Sequence, residues 1–417
     1  MSKEERSKMK KVDEVLEDFI RRCNNEESVK SVVSFSAYCS ITKHIKPRET
    51  VYEVNGNKWH VFDTPFYKYT YCENHSYHCF FSKVTGFTCR ISDNINSKDP
   101  AYCELGPEIL DLEISVNGCP TVGGKNCRFC YKNNTNKPAT NMSFETFKKI
   151  VDTMPKCLYS IAFGITGVQT NPDFPKMMAY CRKNDIIPNY TLSGADLDED
   201  MLRESCRLCG AVAVSCYSDN KELCYNTIKR FHDCNNLMHI NMHIVLSEEE
   251  EQLKHIWNVL KDIKEGKVVG LRNIVFLRIK PVGRASKLNC KIHLDTYEEI
   301  LTYCFENHIG FGFDSCSAPD VAKVLKDMNH EEILKYIEPC ESTRTSFYIN
   351  CHGIASPCSF CEHIKEWVDA NVDVTKCIDC NDFIKNIWHN PVFDKFRFPC
   401  ENNQDKELEC FKCYYYF

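Results

Sequence analysis

Three cysteines on one short stretch of the chain are the residues best suited to chemistry. Cys119, Cys127 and Cys130 have the spacing C-x7-C-x2-C. A four-iron cluster normally takes four thiolates, so three thiolates on one loop leave one iron free to bind a ligand or substrate. A structural zinc ion needs four ligands, so the same thiols would make an incomplete zinc site. Because thiol pairs at x2 spacing also occur in zinc sites, the spacing alone leaves both metals open.

The elements that position this loop alternate between strand and helix patterns. A strand is predicted over 111–117, and Ser143 begins the next segment like a helix cap. This alternation is typical of βα units with parallel pairing, and it gives six or seven units, fewer than the eight of a closed barrel. The later strands are predicted over 159–163, 189–194, 211–215, 239–245, 273–280 and 310–314, with helices between them.

A strand, three cysteines with Phe129 before the last, and then a helix resemble the radical S-adenosylmethionine (radical SAM) enzymes. Their usual spacing is C-x3-C-x2-C, and the longer first interval here contains Gly123 and Gly124. The resemblance implies an α/β fold with a partial (β/α)6 TIM-like barrel whose open side admits large substrates. It also implies a 4Fe–4S cluster on the three cysteines and S-adenosylmethionine (SAM) at its open iron. SAM would be cleaved reductively, and the 5′-deoxyadenosyl radical would abstract hydrogen from a substrate.

The turn after the second strand departs from the family pattern. Radical SAM enzymes usually carry a Gly-Gly-Glu-Pro-like turn there, which binds the methionine amino group of SAM. Residues 164–169 read Gly-Ile-Thr-Gly-Val-Gln and contain no acidic residue. The resemblance then implies contacts from backbone carbonyls of this turn or from the side chains of Thr166 or Gln169. The full set of expected cofactor contacts is Phe129, Gly164, Thr166, Gly167, Gln169, Thr191, Ser193 and His243.

Several predicted strands carry polar residues at period two, which places those residues on one face of the strand. Parallel barrel strands usually read as nearly continuous apolar runs. A polar face therefore favours an interior that holds a ligand, and the alternative is a set of satisfied polar groups in the core. Lys280 and Arg284 follow another strand and could bind a substrate carboxylate or phosphate, or form a solvated basic loop. The polar positions are Asn189, Thr191, Ser193, His239, Asn241, His243, Arg278 and Lys280.

The cysteines become dense after Asp314, within a total of 28 in the chain. Cys340-x12-Gly353-x4-Cys358 fits the opening of the SPASM pattern of radical SAM enzymes that mature peptides. That resemblance implies an auxiliary 4Fe–4S cluster in a SPASM/twitch-like region, for which the expected ligands are Cys316, Cys340, Cys358 and Cys413. A second group would comprise Cys361, Cys377, Cys380 and either Cys400 or Cys410, and it could equally be a zinc site or buried thiols.

The chain thus divides into 1–108 (an N-terminal helix and a β-containing extension), 109–316 (the partial barrel) and 317–417 (a Cys-rich domain). The net charge of -6 argues against a generic nucleic-acid binder, and no export signal or membrane span is visible, so a cytoplasmic protein is expected. The resemblance names no catalytic side chain. It favours a peptide or protein substrate and an electron donor such as a flavodoxin or ferredoxin.

Three other interpretations stay open. The same chemistry could modify a nucleoside or a small metabolite. The thiol pairs could be structural, in a zinc-binding interaction protein without catalysis. The chain could also be a binding protein whose cofactor site is inactive, because the turn over 164–169 lacks its acidic residue.

Overall fold

The computed structural model describes residues 47–92, 100, 102–120, 126–338 and 340–397. The helix predicted over 1–25 lies outside these residues, as do Cys400, Cys410 and Cys413. The described residues form a five-stranded sheet, a nine-stranded sheet and a two-stranded ribbon. None of the described helices is both long enough and apolar enough to cross a membrane.

The five-stranded sheet belongs to the N-terminal extension, and every neighbouring pair in it is antiparallel. Asn55 and Gly56 both have positive φ in the first hairpin, which is the backbone that a two-residue Asn-Gly turn requires. The prediction of a β-containing extension is therefore confirmed. Its strands are β1 (Arg48–Val54), β2 (Asn57–Asp63), β3 (Tyr67–Cys72), β4 (His78–Ser82) and β5 (Thr88–Ile91).

The nine-stranded sheet is built by the rest of the chain. The strands that follow β5 are β6 (Ile109–Glu113), β7 (Ser115–Val116), β8 (Thr140–Asn141), β9 (Ser160–Gly164), β10 (Ile187–Leu192), β11 (Ala211–Cys216), β12 (His239–Leu246), β13 (Asn273–Arg278), β14 (Phe311–Phe313), β15 (Ser346–Ile349) and β16 (Ala355–Ser356). The α-helices are α1 (Phe144–Thr153), α2 (Phe174–Lys183), α3 (Glu199–Leu208), α4 (Lys221–Cys234), α5 (Glu250–Lys264), α6 (Leu294–Glu306), α7 (Ala318–Asp327), α8 (Lys365–Ala370), α9 (Cys380–Phe383) and α10 (Pro391–Arg397).

The order of this sheet is β14-β13-β12-β11-β10-β9-β6-β15-β16, and all pairs are parallel except β15 with β16. Each of β6 and β9–β13 is followed by one helix, α1 to α6 in turn, which confirms the partial (β/α)6 TIM-like barrel. β15 comes from the Cys-rich region and pairs with β6. The barrel and the Cys-rich region therefore share one sheet, and the proposed domain boundaries stay a prediction.

The strand register shows which side chains share the inner face of the barrel. Asn189 of β10 pairs with Ala211, while Asn241 of β12 pairs with Ala213 and Asn273. The alternate residues of the same strands are apolar, fully buried and packed in one core with the helices. The polar face of β10, β12 and β13 must therefore point into the barrel.

Arg278 was expected on the polar face, and the structure contradicts this. It has the same parity as Ile274 and Phe276 of β13, which point towards the helices. Its guanidinium is 6% exposed and pairs with Asp320 of α7 at 3.0 Å. The ion pair explains how a charged side chain is accommodated on the apolar side of the sheet.

Helix α1 has the N-cap and the apolar spacing from which the helices were predicted. The Ser143 side chain accepts a hydrogen bond from the Thr146 N–H at 3.1 Å, which satisfies one of the free donors of the first turn. Phe147, Ile150 and Val151 recur at helical spacing and are buried against the sheet. The predicted start of this helix is confirmed.

Candidate functional site at one end of the barrel

The cysteine loop leaves the sheet as a hairpin. After β6 the chain turns away at Ile114, and β7 pairs with β8 instead of with the barrel. Asn117 and Gly118 have positive φ and redirect the backbone at the base of the hairpin. The Cys119 N–H donates to the Thr135 carbonyl at 3.0 Å, and the Thr135 N–H donates to the Asn117 side chain at 3.1 Å. These bonds hold the first cysteine at the end of the β6 strand.

The three thiols of this loop lie close enough to influence one another. Burial raises the pKa of the Cys119 thiol, and repulsion from the thiolates of Cys130 and Cys127 raises it further. Burial likewise raises the pKa of Cys127, whereas a hydrogen bond from Tyr217 opposes that change. In the described part of the chain, no three Cys, His, Asp or Glu side chains already form a group that could hold a single metal ion. The loop thus brings three neighbouring thiols together.

The segment after β13 contacts the backbone of the cysteine loop. The Arg284 side chain donates to the carbonyls of Cys127 at 2.7 Å and Asn134 at 2.8 Å, and its backbone N–H donates to Cys130 at 3.0 Å. Gly283 has φ +60°, and a Cβ there would lie 2.3 Å from the Tyr131 carbonyl oxygen. Arg284 thus holds the backbone of the cysteine loop, and its expected binding of a substrate anion stays a prediction.

The turn after β9 packs against the base of the same loop. Thr166 donates through Oγ1 to the Asn117 carbonyl at 2.6 Å, and its N–H donates to the Ser115 hydroxyl at 3.0 Å. The Gln169 side chain donates to Asp198 at 2.8 Å. The structure thus brings the turn and the cysteines together as the family resemblance implies, and it engages the side chains of Thr166 and Gln169 within the protein.

Asp196 follows β10 and reaches this turn from the neighbouring unit. Its Oδ2 accepts a hydrogen bond from the Gln169 N–H at 3.0 Å, and its buried Oδ1 has no hydrogen-bond partner among the described residues. Burial raises the pKa of Asp196, which the backbone N–H groups of Gln169, Asp196 and Val168 oppose. Asp196 also contributes to the raised pKa of Cys119. The Asp196 carboxyl group therefore lies beside the turn over 164–169, which contains no acidic residue of its own.

The other predicted cofactor contacts are placed around the inner face. Thr191 Oγ1 lies 3.4 Å from Nδ1 of His243, and burial lowers the pKa of His243 to about 4, so the imidazole is neutral near pH 7. Ser193 accepts a hydrogen bond from the Ala195 N–H at 3.3 Å, within its own turn. Phe129 is partly buried on the cysteine loop, with the Arg128 guanidinium 4.5 Å from the ring centre. The role of these residues towards a cofactor stays a prediction.

Lys280 occupies a different environment from the one expected of a substrate-binding cation. It is 8% exposed, forms an ion pair with Asp314 and lies 4.8 Å from the ring centre of Phe360. Burial would lower the pKa of Lys280, but Asp314 and the thiols of Cys316 and Cys358 outweigh burial and raise it. Lys280 therefore belongs to the surroundings of the C-terminal thiols.

These C-terminal thiols form a second group. Electrostatic effects link Cys316 to both Cys340 and Cys358, and Sγ of Cys358 lies 3.5 Å from Sγ of Cys361. Cys413, the expected fourth ligand, lies outside the described residues. The structure places Cys361 beside the predicted ligand Cys358, although the sequence pattern assigned it to another set.

The remaining members of that other set have different partners. Cys380 interacts with the hydroxyl group of Tyr52 from the N-terminal sheet. Cys377 is 3% exposed, and its pKa is raised to about 11 by burial and by the carboxylates of Asp382 and Asp373. Cys361 lies beside Cys358, whereas Cys377 and Cys380 have other partners. The described members of the second predicted set are therefore in different surroundings.

A buried charge network connects the two thiol groups. Lys132 Nζ lies 3.0 Å from Oε1 of Glu113, donates to the Tyr348 hydroxyl at 2.6 Å and pairs with Glu362. The Tyr348 hydroxyl donates to the other oxygen of Glu362 at 3.0 Å. Lys132 belongs to the cysteine loop and Glu362 follows Cys361, so the network joins the two sites.

Sequence reasoning missed Asp196, Tyr217 and this network, since each acts through contacts between distant parts of the chain. The x2 spacing of Cys358 and Cys361 was visible and could have suggested their pairing. Nothing in the local pattern distinguishes Asp196 from the exposed acidic residues after it.

No family model matches the chain, and a search of the curated proteins finds no match. Solved structures do match. Streptococcus suis SuiB bound to its precursor peptide SuiA superposes with a TM-score of 0.56 and 12% identity, over 73% of this chain and 69% of SuiB. SuiB bound to S-adenosylmethionine gives a TM-score of 0.54 at 12% identity, over 73% of this chain and 69% of SuiB. Native anSMEcpe with bound AdoMet superposes with a TM-score of 0.51 and 15% sequence identity, over 73% of this chain and 88% of anSMEcpe. The chain has the fold of these proteins, and the α/β fold with a partial TIM-like barrel that the sequence predicts is therefore confirmed.

Proposed function

We propose that this protein is a radical SAM enzyme that uses a 4Fe–4S cluster and SAM to abstract hydrogen from a substrate. The observation that carries the proposal is the grouping of three thiols beside the turn after β9, at one end of a partial barrel. Cys119, Cys127 and Cys130 would hold the cluster, and the missing fourth thiolate would leave one iron for SAM. When bound, the cluster would supply the electron for cleavage of SAM to methionine and the 5′-deoxyadenosyl radical, and the chain's own residues would orient the reactants and exclude water.

The chain's own residues favour this assignment over a structural zinc site. Zinc in a structural site is enclosed by four ligands, usually from one or two local segments. The cysteine loop offers three thiols, and its backbone is held by Arg284 and Thr166 from two other βα units. Such bracing from several elements suits a site that must keep an open position facing the barrel interior.

We further propose that Cys316, Cys340, Cys358 and Cys361 hold an auxiliary 4Fe–4S cluster. Support comes from the 3.5 Å contact between Cys358 and Cys361 and from the electrostatic effects that link the other two thiols to Cys358. Four thiolates complete the cluster's coordination, which suits electron relay better than substrate binding. An external donor such as a flavodoxin or ferredoxin would supply the electrons.

A peptide or protein is the favoured substrate. SuiB is known in complex with a precursor peptide, and the open sheet of this chain leaves room for a long ligand. The inner face offers amide, imidazole and hydroxyl groups that could hydrogen-bond a peptide backbone, including those of Asn241, His243 and Thr191. The same groups could bind a nucleoside or a small metabolite, and an assay against both classes would separate these cases.

The test is the metal content per chain after anaerobic reconstitution, followed by an assay for 5′-deoxyadenosine. The parent should hold about eight irons, as two four-iron clusters require. The triple variant C119A/C127A/C130A should lose about half of that iron and form no 5′-deoxyadenosine. A control triple variant, C89A/C206A/C234A, removes thiols outside both groups and should keep all the iron. Zinc without iron in the parent would overturn the proposal and favour a structural zinc protein.

The fourth auxiliary ligand can be identified separately. C361A should lose about four irons per chain if Cys361 completes the second cluster, whereas C413A should then keep them. The opposite result would restore Cys413, the ligand that the family resemblance favours. C351A is a suitable control, because Cys351 is a nearby buried thiol that the proposal does not use.

A further inference from the structure

We propose that Asp196 provides the anionic contact for the methionine amino group of SAM, in place of the acidic residue that the turn over 164–169 lacks. The inference rests on the proposed function. It assigns a binding role to a residue on the loop after β10, one βα unit away from that turn.

The Asp196 carboxylate is fixed at one oxygen and unpaired at the other. Oδ2 accepts the Gln169 N–H at 3.0 Å, whereas Oδ1 is buried and has no hydrogen-bond partner in the part of the chain that the structure describes. Burying a polar atom without a partner costs free energy, and the cost is larger for a charged group. A ligand ammonium group at Oδ1 would remove that cost and form a charge-assisted hydrogen bond.

The turn itself is shaped to bring this carboxylate close to the cysteine loop. Gly167 has no side chain, and a Cβ there would lie 2.5 Å from Asp196 Oδ2 and 2.7 Å from Pro120 Cδ. Pro120 directly follows Cys119, so the turn backbone is closely packed between Asp196 and the first cysteine. The Asp196 carboxylate therefore lies close to the backbone that carries the first cysteine.

A purely structural role for Asp196 makes a different prediction. If the carboxylate only accepts the Gln169 N–H, an amide oxygen can replace it, and D196N should behave like the parent. If the negative charge binds the amino group, D196N loses that attraction while keeping the acceptor for Gln169. Asp200, whose side chain is 92% exposed at the start of α3, provides the matched control D200N.

The experiment measures the affinity of the reconstituted full chain for SAM and for its desamino analogue, in which hydrogen replaces the methionine amino group. Loss of one hydrogen bond to a charged group should weaken SAM binding to D196N about 10- to 100-fold. The desamino analogue should bind the parent and D196N equally, and D200N should match the parent for both ligands.

Equal weakening of both ligands in D196N, or unchanged SAM affinity, would overturn the inference. A parent that keeps its iron and cleaves SAM would in that case leave the proposed function intact. A parent that binds neither iron nor SAM would overturn both. The iron content of D196N, measured alongside, shows whether the cysteine loop has stayed folded.

Discussion

Lys132 donates a hydrogen bond of 2.6 Å to the hydroxyl group of Tyr348, although 216 residues separate them. Lys132 lies two residues after Cys130, and Tyr348 is on the strand that adds to β6. The rings of Tyr131 and Phe360 lie 4.6 Å apart in the same region. The loop of the first thiol group and the segment of the second therefore pack directly on each other, which would suit electron transfer between the two proposed clusters.

The first prediction concerns the buried charge of Lys132. K132M would leave Glu113 without its buried cation, although the raised pKa of Glu113 would let the carboxyl take up a proton. Removing one partner of a buried pair costs about 3–5 kcal/mol, so K132M should lower the free energy of unfolding by about 3 kcal/mol. Urea unfolding of the parent and the variant measures this change.

Two further variants test the origin of that loss. K148M removes an exposed lysine that pairs with Asp152 on α1 and should have no measurable effect. The double variant K132M/E113Q removes the buried pair and should recover part of the stability, because the one carboxylate left without its cation, Glu362, is partly exposed. If K132M behaves like K148M, the network does not stabilise the fold.

The second prediction concerns Arg284. R284A would leave the carbonyls of Cys127 and Asn134 without their side-chain donor, which should loosen the cysteine loop. The variant should lose iron from the first site faster than the parent during dialysis against a chelator, while the auxiliary iron remains. K287A, on the same short 3-10 helix and exposed, should match the parent. Equal iron loss from both sites in R284A would contradict this role.

The barrel was predictable from sequence because each strand and helix carries its own periodicity. β12 alternates His239, Asn241 and His243 with fully buried apolar residues, and its inward face follows from that alternation. Arg278 is an exception, because it lies on the same face of β13 as the buried apolar residues. A charged residue on the apolar side is stable only through Asp320, which is distant in the sequence, so local pattern could not reveal it.

The site was less predictable, because its residues come from several different βα units. The cysteine spacing pointed to the metal ligands, but the bracing by Gly283 and Arg284 depends on how the loop after β13 folds back. Asp196 was missed for the same reason. Its importance lies in one unpaired buried oxygen, and burial of a loop residue depends on tertiary structure.

The third prediction is a pH dependence of stability from Asp111, which lies on the inner face of β6. Burial raises its pKa from 3.8 to about 6. The folded protein then binds the proton more tightly than the unfolded chain, so the stabilisation falls as pH rises from about 4 through 6. Relative to D111N, the parent should lose about 1–2 kcal/mol between about pH 5 and pH 8.

Urea unfolding at both pH values measures this difference. D111N should be the more stable protein at the higher pH, because an amide carries no charge to desolvate. D200N changes an exposed aspartate in the same way and should keep the pH dependence of the parent. A D111N protein with the parent's pH dependence would show that Asp111 is well solvated.

The last prediction compares two glycines with similar backbones. Gly283 has φ +60° and Gly266 has φ +72°, so alanine at either position incurs the strain of a left-handed conformation, about 1–2 kcal/mol. At Gly266 the new methyl group would meet no atom within 4 Å. At Gly283 it would lie 2.3 Å from the Tyr131 carbonyl oxygen and 2.5 Å from that of Cys130.

Because these two contacts are to backbone atoms, G283A can be accommodated only by moving the cysteine loop or the segment that braces it. G283A should therefore reduce the iron bound at the first site, by up to about four irons per chain, while G266A should keep the full complement. In urea unfolding, the backbone strain should lower the free energy of unfolding of both variants by a similar amount. The additional loss in G283A measures the clash with the two carbonyl oxygens. If the two variants retain the same iron and the same stability, the close packing of Gly283 against Cys130 and Tyr131 is not needed to form the metal site.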